Sequence, residues 1–199
     1  MKKLFDKSID HLIADGLENG VQATMLRVES MLTSQSTAKE YDISKQKTNS
    51  QPTVATRTVL EYLNNQMSLV SKCTDRHTFG IFAGECAVRL FHAVVKNLKR
   101  YKISLEGGIQ VLTDFNAYYA FTNQLSLPTS EALELFAVLK ELGNVYIVDA
   151  LDLKQLIHDQ QAIRFKEALR TEDLLDLVAL RKDWVKIKAK VETSECIIS

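Results

Sequence analysis

The sequence has no excess charge of either sign: 25 lysines and arginines are matched by 25 aspartates and glutamates. A balanced chain has no general field to draw in a phosphate backbone, which excludes nucleic acid as the expected partner and makes any membrane attraction local. Cysteine is scarce as well. Cys73, Cys86 and Cys196 include no C-x-x-C pair, and an odd number leaves one thiol over in any disulfide framework, so a reducing cytoplasm is the expected compartment. No run approaches the eighteen or so apolar residues that span a bilayer. Met1, Lys2 and Lys3 imitate the start of a signal peptide, but Asp6, Lys7, Asp10 and Asp15 interrupt the apolar stretch that export requires. Lys2 also stands where N-myristoylation requires glycine.

Signatures of chemistry are equally sparse. His11, His77, His92 and His158 fall on different expected helices, and none pairs with another His or a Cys at a metal-ligand spacing. Gly107 and Gly108 in "SLEGGIQ" lack a following Lys-Ser or Lys-Thr and a preceding strand, so they read as a site of close helix packing, not a phosphate cradle. Asp114, Asp149 and Asp152 read as a solvated face. No nucleophile elbow or comparable signature surrounds any Ser or Cys. The expectation is a non-catalytic interaction protein with no cofactor and no metal.

What the chain does have is helical spacing. Phe5, Ile9, Leu12, Leu17, Val21, Met25, Val28 and Leu32 describe one long amphipathic helix over about residues 4–33. The stretch "TSQSTAKEYDISKQKTNSQP", about residues 34–52, is too polar for a core and reads as a flexible surface loop. After Pro52 come helices carrying Leu60, Leu63, Met67 and Val70, then Phe79, Phe82, Cys86, Leu90 and Val94 with Asp75 as cap. Ser104 caps a central helix with Ile109, Leu112, Phe115 and Tyr119; Leu127 and Pro128 end it, and Thr129 or Ser130 opens the next, with Phe136 and Leu139. "NVYIVDAL" is β-rich in content but reads as continued helix. A short helix lies near 153–157, and a last one over about 172–191 places Leu177, Leu180, Trp184, Ile187 and Val191 in one row. The fold class is all-α, a bundle or helical rod, with Phe82, Leu112, Phe115, Phe136, Leu139 and Trp184 expected inside it.

The chain ends on Cys196, Ile197, Ile198 and Ser199, the C-a-a-X form that prenyltransferases read, with a terminal Ser favouring farnesyl. Residues 1–192 are thus expected to form a helical module and 193–199 a flexible prenylation tail. One lipid chain gives marginal binding, so a second signal is needed. The nearby basic residues are Arg181, Lys182, Lys186, Lys188 and Lys190, offset in part by Asp183, Glu192 and Glu195. That balance is weak, and a bound protein partner is expected to complete the attachment.

The stretches "LEGGIQVLTDFNAYYAF", "LKELGNVYIVD" and "EDLLDLVALRKDWVKIKAKV", closing on "CIIS", together resemble the C-terminal region of recyclin, the fungal F-box family, and through it the related Sec-ten-type exocyst subunit. "FDKSIDHLIADGLENGVQ" and "FGIFAGECAVRLFHAVVKNLKR" fit the same pattern. The resemblance implies stacked helical bundles of the vesicle-tethering class, no catalysis, and work in exocytosis or in endosome-to-plasma-membrane recycling. Implied partners are other exocyst or tethering subunits or a Rab-type GTPase, at the cytoplasmic side of the plasma membrane or of endosomal and secretory vesicles. The alternative it implies is a substrate-adaptor fragment of an F-box ubiquitin ligase. A Skp adaptor is not expected to bind, because no F-box is found within this sequence, which suits a shortened or partial relative.

Overall fold

A computed structural model describes residues 2–43, 50–125, 130–158, 165 and 168–192. Eight α-helices are named here: α1 (Lys2–Ser34), α2 (Val54–Cys73), α3 (Arg76–Leu98), α4 (Leu105–Gln124), α5 (Glu131–Gly143), α6 (Ala150–His158), α7 (Thr171–Val178) and α8 (Trp184–Glu192), with a 3-10 turn at Asn144–Tyr146. Among the described residues there is no strand, only an isolated bridge between Ile103 and Arg181. The expected all-α fold is the observed one.

The start of each central helix follows from a short polar side chain. Asp75 accepts from the amides of His77 and Thr78, and Ser104 accepts from that of Gly107 at 3.0 Å, so amides that lack a partner in the first turn are satisfied. Thr53 does the same for α2 through Thr56. Ser130 stands at the start of α5 but makes no side-chain capping bond; Leu127, Pro128 and Thr129 lie outside the described residues.

Packing is centred on α3, α4 and α5. Eleven residues of α3 are buried, Phe82, Leu90 and Phe91 among them. By length and composition α3 could cross a membrane, contrary to the expectation that no segment qualifies; its burial within the bundle accounts for that apolar content. The α4–α5 pair forms the most extensive helix contact, while α1 lies across α2 and α3, and α8 packs on α6. Phe115, Phe136 and Leu139 are fully buried, and Phe91 meets Phe136 edge to face at 6.1 Å. Each such side chain contributes about 1.5–3 kcal/mol relative to exposure.

Gly107 and Gly108 are where the bundle closes most tightly. A Cβ on Gly107 would lie 1.7 Å from the Tyr41 carbonyl oxygen, and one on Gly108 would lie 2.8 Å from Tyr146 Cβ. The close-packing interpretation of this pair is therefore the right one.

Four expectations need correction. Leu112 and Trp184 are only half-buried: Leu112 sits on the flank of α4, and Trp184 opens a short helix with one face covered. "NVYIVDAL" is not continuous helix, since the 3-10 turn ends at Tyr146 and Asp149 caps α6 by accepting from the amides of Leu151 and Asp152. The last helix is two, because the chain turns at 179–183 to bring Arg181 inside. The 34–52 loop is not wholly a surface element, for Tyr41 is buried and Ser104 N–H donates to its carbonyl at 3.0 Å.

Candidate interaction surface

The turn between α7 and α8 carries the first of the expected basic residues. Ile103 N–H donates to Leu180 O, and Lys182 N–H donates to Ile103 O, both at 2.9 Å, so the α3–α4 connection holds this turn in place. Arg181 therefore points inward and is 5% exposed. Its Nη1 donates to the carbonyls of Val145 and Val148 at 2.7 and 2.8 Å, while Nε and Nη2 grip both oxygens of Asp183 at 2.9 Å. The bidentate bond holds the Asp183 carboxyl below its ordinary range, against partial burial. Arg181 is a structural clamp, which corrects its assignment to a membrane-facing set. Lys182 is exposed and pairs with Asp42 at 2.6 Å.

Lys186, Lys188 and Lys190 do face solvent. Steps of three and four put Trp184, Ile187 and Val191 on the inner side of α8, and Val191 is buried. Val185 and Ala189 share the outer side, with Lys186 and Lys190 along one flank and Lys188 along the other. Val185 is 89% exposed. Sequence reading counted the lysines but passed over Val185 and Ala189, although their four-residue spacing was visible. Cys196, Ile197, Ile198 and Ser199 lie outside the described residues.

A second surface feature runs between α1 and α3. Ile13, Leu17, Val21, Ile81 and Phe82 line an open cavity of about 510 Å³, with Glu18 and Glu85 at its edge. Arg89 donates to both carboxylates at 2.7 Å, and those bonds raise its own pKa. Ile13 and Ile81 are half exposed; Ile13 was missed because it falls beside the regular α1 stripe.

The residues considered for chemistry are not brought together. His11 lies 3.6 Å from Asp15, His77 lines the α1–α3 cavity, and His92 packs on the Phe91 ring at 5.3 Å. Among the described residues no three His, Cys, Asp or Glu side chains form a metal-binding group. Burial pushes the Cys86 thiol up to about 12 and leaves it unreactive. Asp114 is not on a solvated face but 1% exposed. Its oxygens accept from Thr53 N–H at 2.7 Å, Tyr41 O–H at 2.8 Å and Thr53 O–H at 2.9 Å. Burial raises its pKa to about 6 despite those bonds, which pull it down. The carboxylate ties Tyr41, within the 34–52 loop, and Thr53, the cap of α2, to α4. It is a fold-closing contact.

Comparison with known proteins agrees with this helical architecture. Over 197 residues the chain is 29% identical to F-box protein pof6 of Schizosaccharomyces pombe, and over 200 residues it is 30% identical to Recyclin-1 of Saccharomyces cerevisiae. Each alignment covers 96% of this chain but only 22% and 24% of the respective relative, so the chain spans less than a quarter of their length. Residues 1–193 match the family described as exocyst complex component Sec10-like, α-helical bundle. The chain therefore belongs to the Sec10-like α-helical bundle family.

Proposed function

We propose that this chain is a non-catalytic module of vesicle tethering, working in exocytosis or in the return of cargo from endosomes to the plasma membrane. The observation that carries this reading is the Sec10-like match, which takes in residues 1–193 and so every helix of the bundle. The similarity to Recyclin-1 supports the recycling side of it. In this reading Cys196 is farnesylated, the protein sits peripherally on the cytoplasmic side of the plasma membrane or of endosomal and secretory vesicles, and its partners are other tethering subunits or a Rab-type GTPase.

A second reading has a specific observation behind it: one relative bears the name of an F-box protein. In that reading the bundle selects substrates for a ubiquitin ligase. Cross-linking immunoprecipitation of the protein followed by mass spectrometry separates the two. Recovery of exocyst subunits or a Rab-type GTPase is the expected result. Recovery of Skp and cullin in their place would favour the adaptor.

A further inference from the structure

We propose that the seam between α2 and α4 binds one internal water molecule, held by the Tyr118 hydroxyl, the Thr56 hydroxyl and the Asp114 carboxylate. Tyr118 lies one turn beyond Asp114 on α4 and is 2% exposed, and among the described residues its hydroxyl meets no hydrogen-bond partner. A buried hydroxyl forfeits its hydration, so such groups are paired with protein or with ordered water. The neighbouring Thr56 hydroxyl works against the burial that raises the phenol's pKa, yet no hydrogen bond of ordinary length joins the two. Beside them is a cavity of about 10 Å³ in which a water's centre can move. That is about the least that holds one water, and too little for a larger ligand. Its buried polar lining is Tyr118, Thr56, Asp114, Tyr41 and Thr53.

Donors and acceptors at this point balance only with a bridging molecule. Thr53 has a single hydroxyl proton, which goes to Asp114 Oδ2 at 2.9 Å. The 3.0 Å contact between the Thr53 and Thr56 hydroxyls is therefore donated by Thr56, and Thr56 Oγ1 keeps lone pairs for another donor. Asp114 accepts one bond at Oδ1 and two at Oδ2, and a carboxylate takes about four. One donor, on Tyr118, and two acceptors thus stand open around the cavity. A water that accepts from Tyr118 and donates to both Asp114 and Thr56 closes all three, and three bonds is the usual number for an internal water. A direct bond from Tyr118 to Thr56 would leave the Asp114 position open. The bridge joins the start of α2 to the middle of α4, a pair whose mutual contact is much smaller than that of α4 with α5. Ser36, Glu40 and Asn97, all half-buried, line the outer side of the cavity and mark the route by which the water exchanges.

A crystal structure of the full chain at a resolution that orders internal water is the test. The expected result is a single peak within hydrogen-bond distance, about 2.6–3.2 Å, of Tyr118 Oη, Thr56 Oγ1 and an Asp114 oxygen. Tyr118 Oη bonded directly to Thr56 or Asp114, with no peak between them, would overturn the proposal. Oxygen-17 relaxation dispersion of the solvent counts long-lived internal waters in solution. The combined Tyr118→Phe, Thr56→Val variant leaves only Asp114 to hold the water and is expected to lower that count by one. Tyr62→Phe, at a half-buried phenol that does not line the cavity, is expected to leave it unchanged. A count in the double variant equal to the parent's would also overturn the proposal. If the double variant does not fold, the crystal structure of the parent decides.

Discussion

Replacing Asp114 with asparagine should stabilise the protein at neutral pH and abolish part of its pH dependence. The carboxylate is buried, and desolvation raises its pKa from 3.8 to about 6. Between those values the folded state holds the proton more tightly than the unfolded chain. The stabilisation from that proton is complete below about pH 4 and is lost as pH rises through about 6, a total of about 3 kcal/mol at 1.36 kcal/mol per unit. Asparagine is neutral throughout. Its oxygen can accept from Thr53 N–H as Asp114 Oδ1 does, and its amide can donate to the hydroxyl oxygens of Tyr41 and Thr53. Asp114→Asn should therefore match the parent near pH 4 and exceed it by up to about 3 kcal/mol at pH 7. Asp114→Ala leaves Thr53 N–H without an acceptor and should cost about 2–4 kcal/mol at pH 7. Urea unfolding of the three proteins from pH 4 to 7.5 measures this. Other carboxylates, such as Asp173, whose pKa its bonds to Arg170 and Lys99 lower, cancel in the difference. Parallel pH curves for the parent and Asp114→Asn would refute the reasoning.

Glycine substitutions should divide by position. Gly107→Ala drives a methyl into the Tyr41 carbonyl and should cost more than about 2 kcal/mol, whereas Gly16→Ala and Gly84→Ala meet open space and should each add about 0.5–1 kcal/mol, read as shifts in Tm. Arg181→Met removes the donor shared by the Val145 and Val148 carbonyls and frees Asp183, and should cost about 3 kcal/mol by chemical denaturation; an unchanged midpoint would contradict its role as a clamp. Cys196→Ser should abolish prenyl labelling in cells and move the protein from the membrane pellet to the soluble fraction, and unchanged partitioning would show that the lipid is not the anchor.

The helices and their starts were legible because their causes are local. Asp75 and Ser104 precede apolar rows and cap them as read, and Phe115, Phe136 and Leu139 lie on the stripes that bury them. The misreadings have distant causes. Tyr41 was placed in a polar loop because its neighbours are polar, yet its partner Asp114 lies 73 residues away on α4. The same separation hid Asp114, which reads as part of a solvated face until Tyr41 and Thr53 are brought onto it. Arg181 sits between Leu180 and Lys182 in a row that reads as one helix. Only the carbonyls of Val145 and Val148, contributed by another turn, reveal why the chain bends inward there. At the candidate surface, the lysines of α8 were visible as letters, while the exposure of Val185 between them depends on which face α6 covers.

The most direct test of the tethering account is the return of an endocytosed surface cargo to the plasma membrane after acute depletion of the protein. The account predicts that internalised cargo stays in endosomes or small vesicles and that re-expression of the protein restores its return. Normal return of cargo, together with accumulation of an undegraded ubiquitin-ligase substrate, would contradict it.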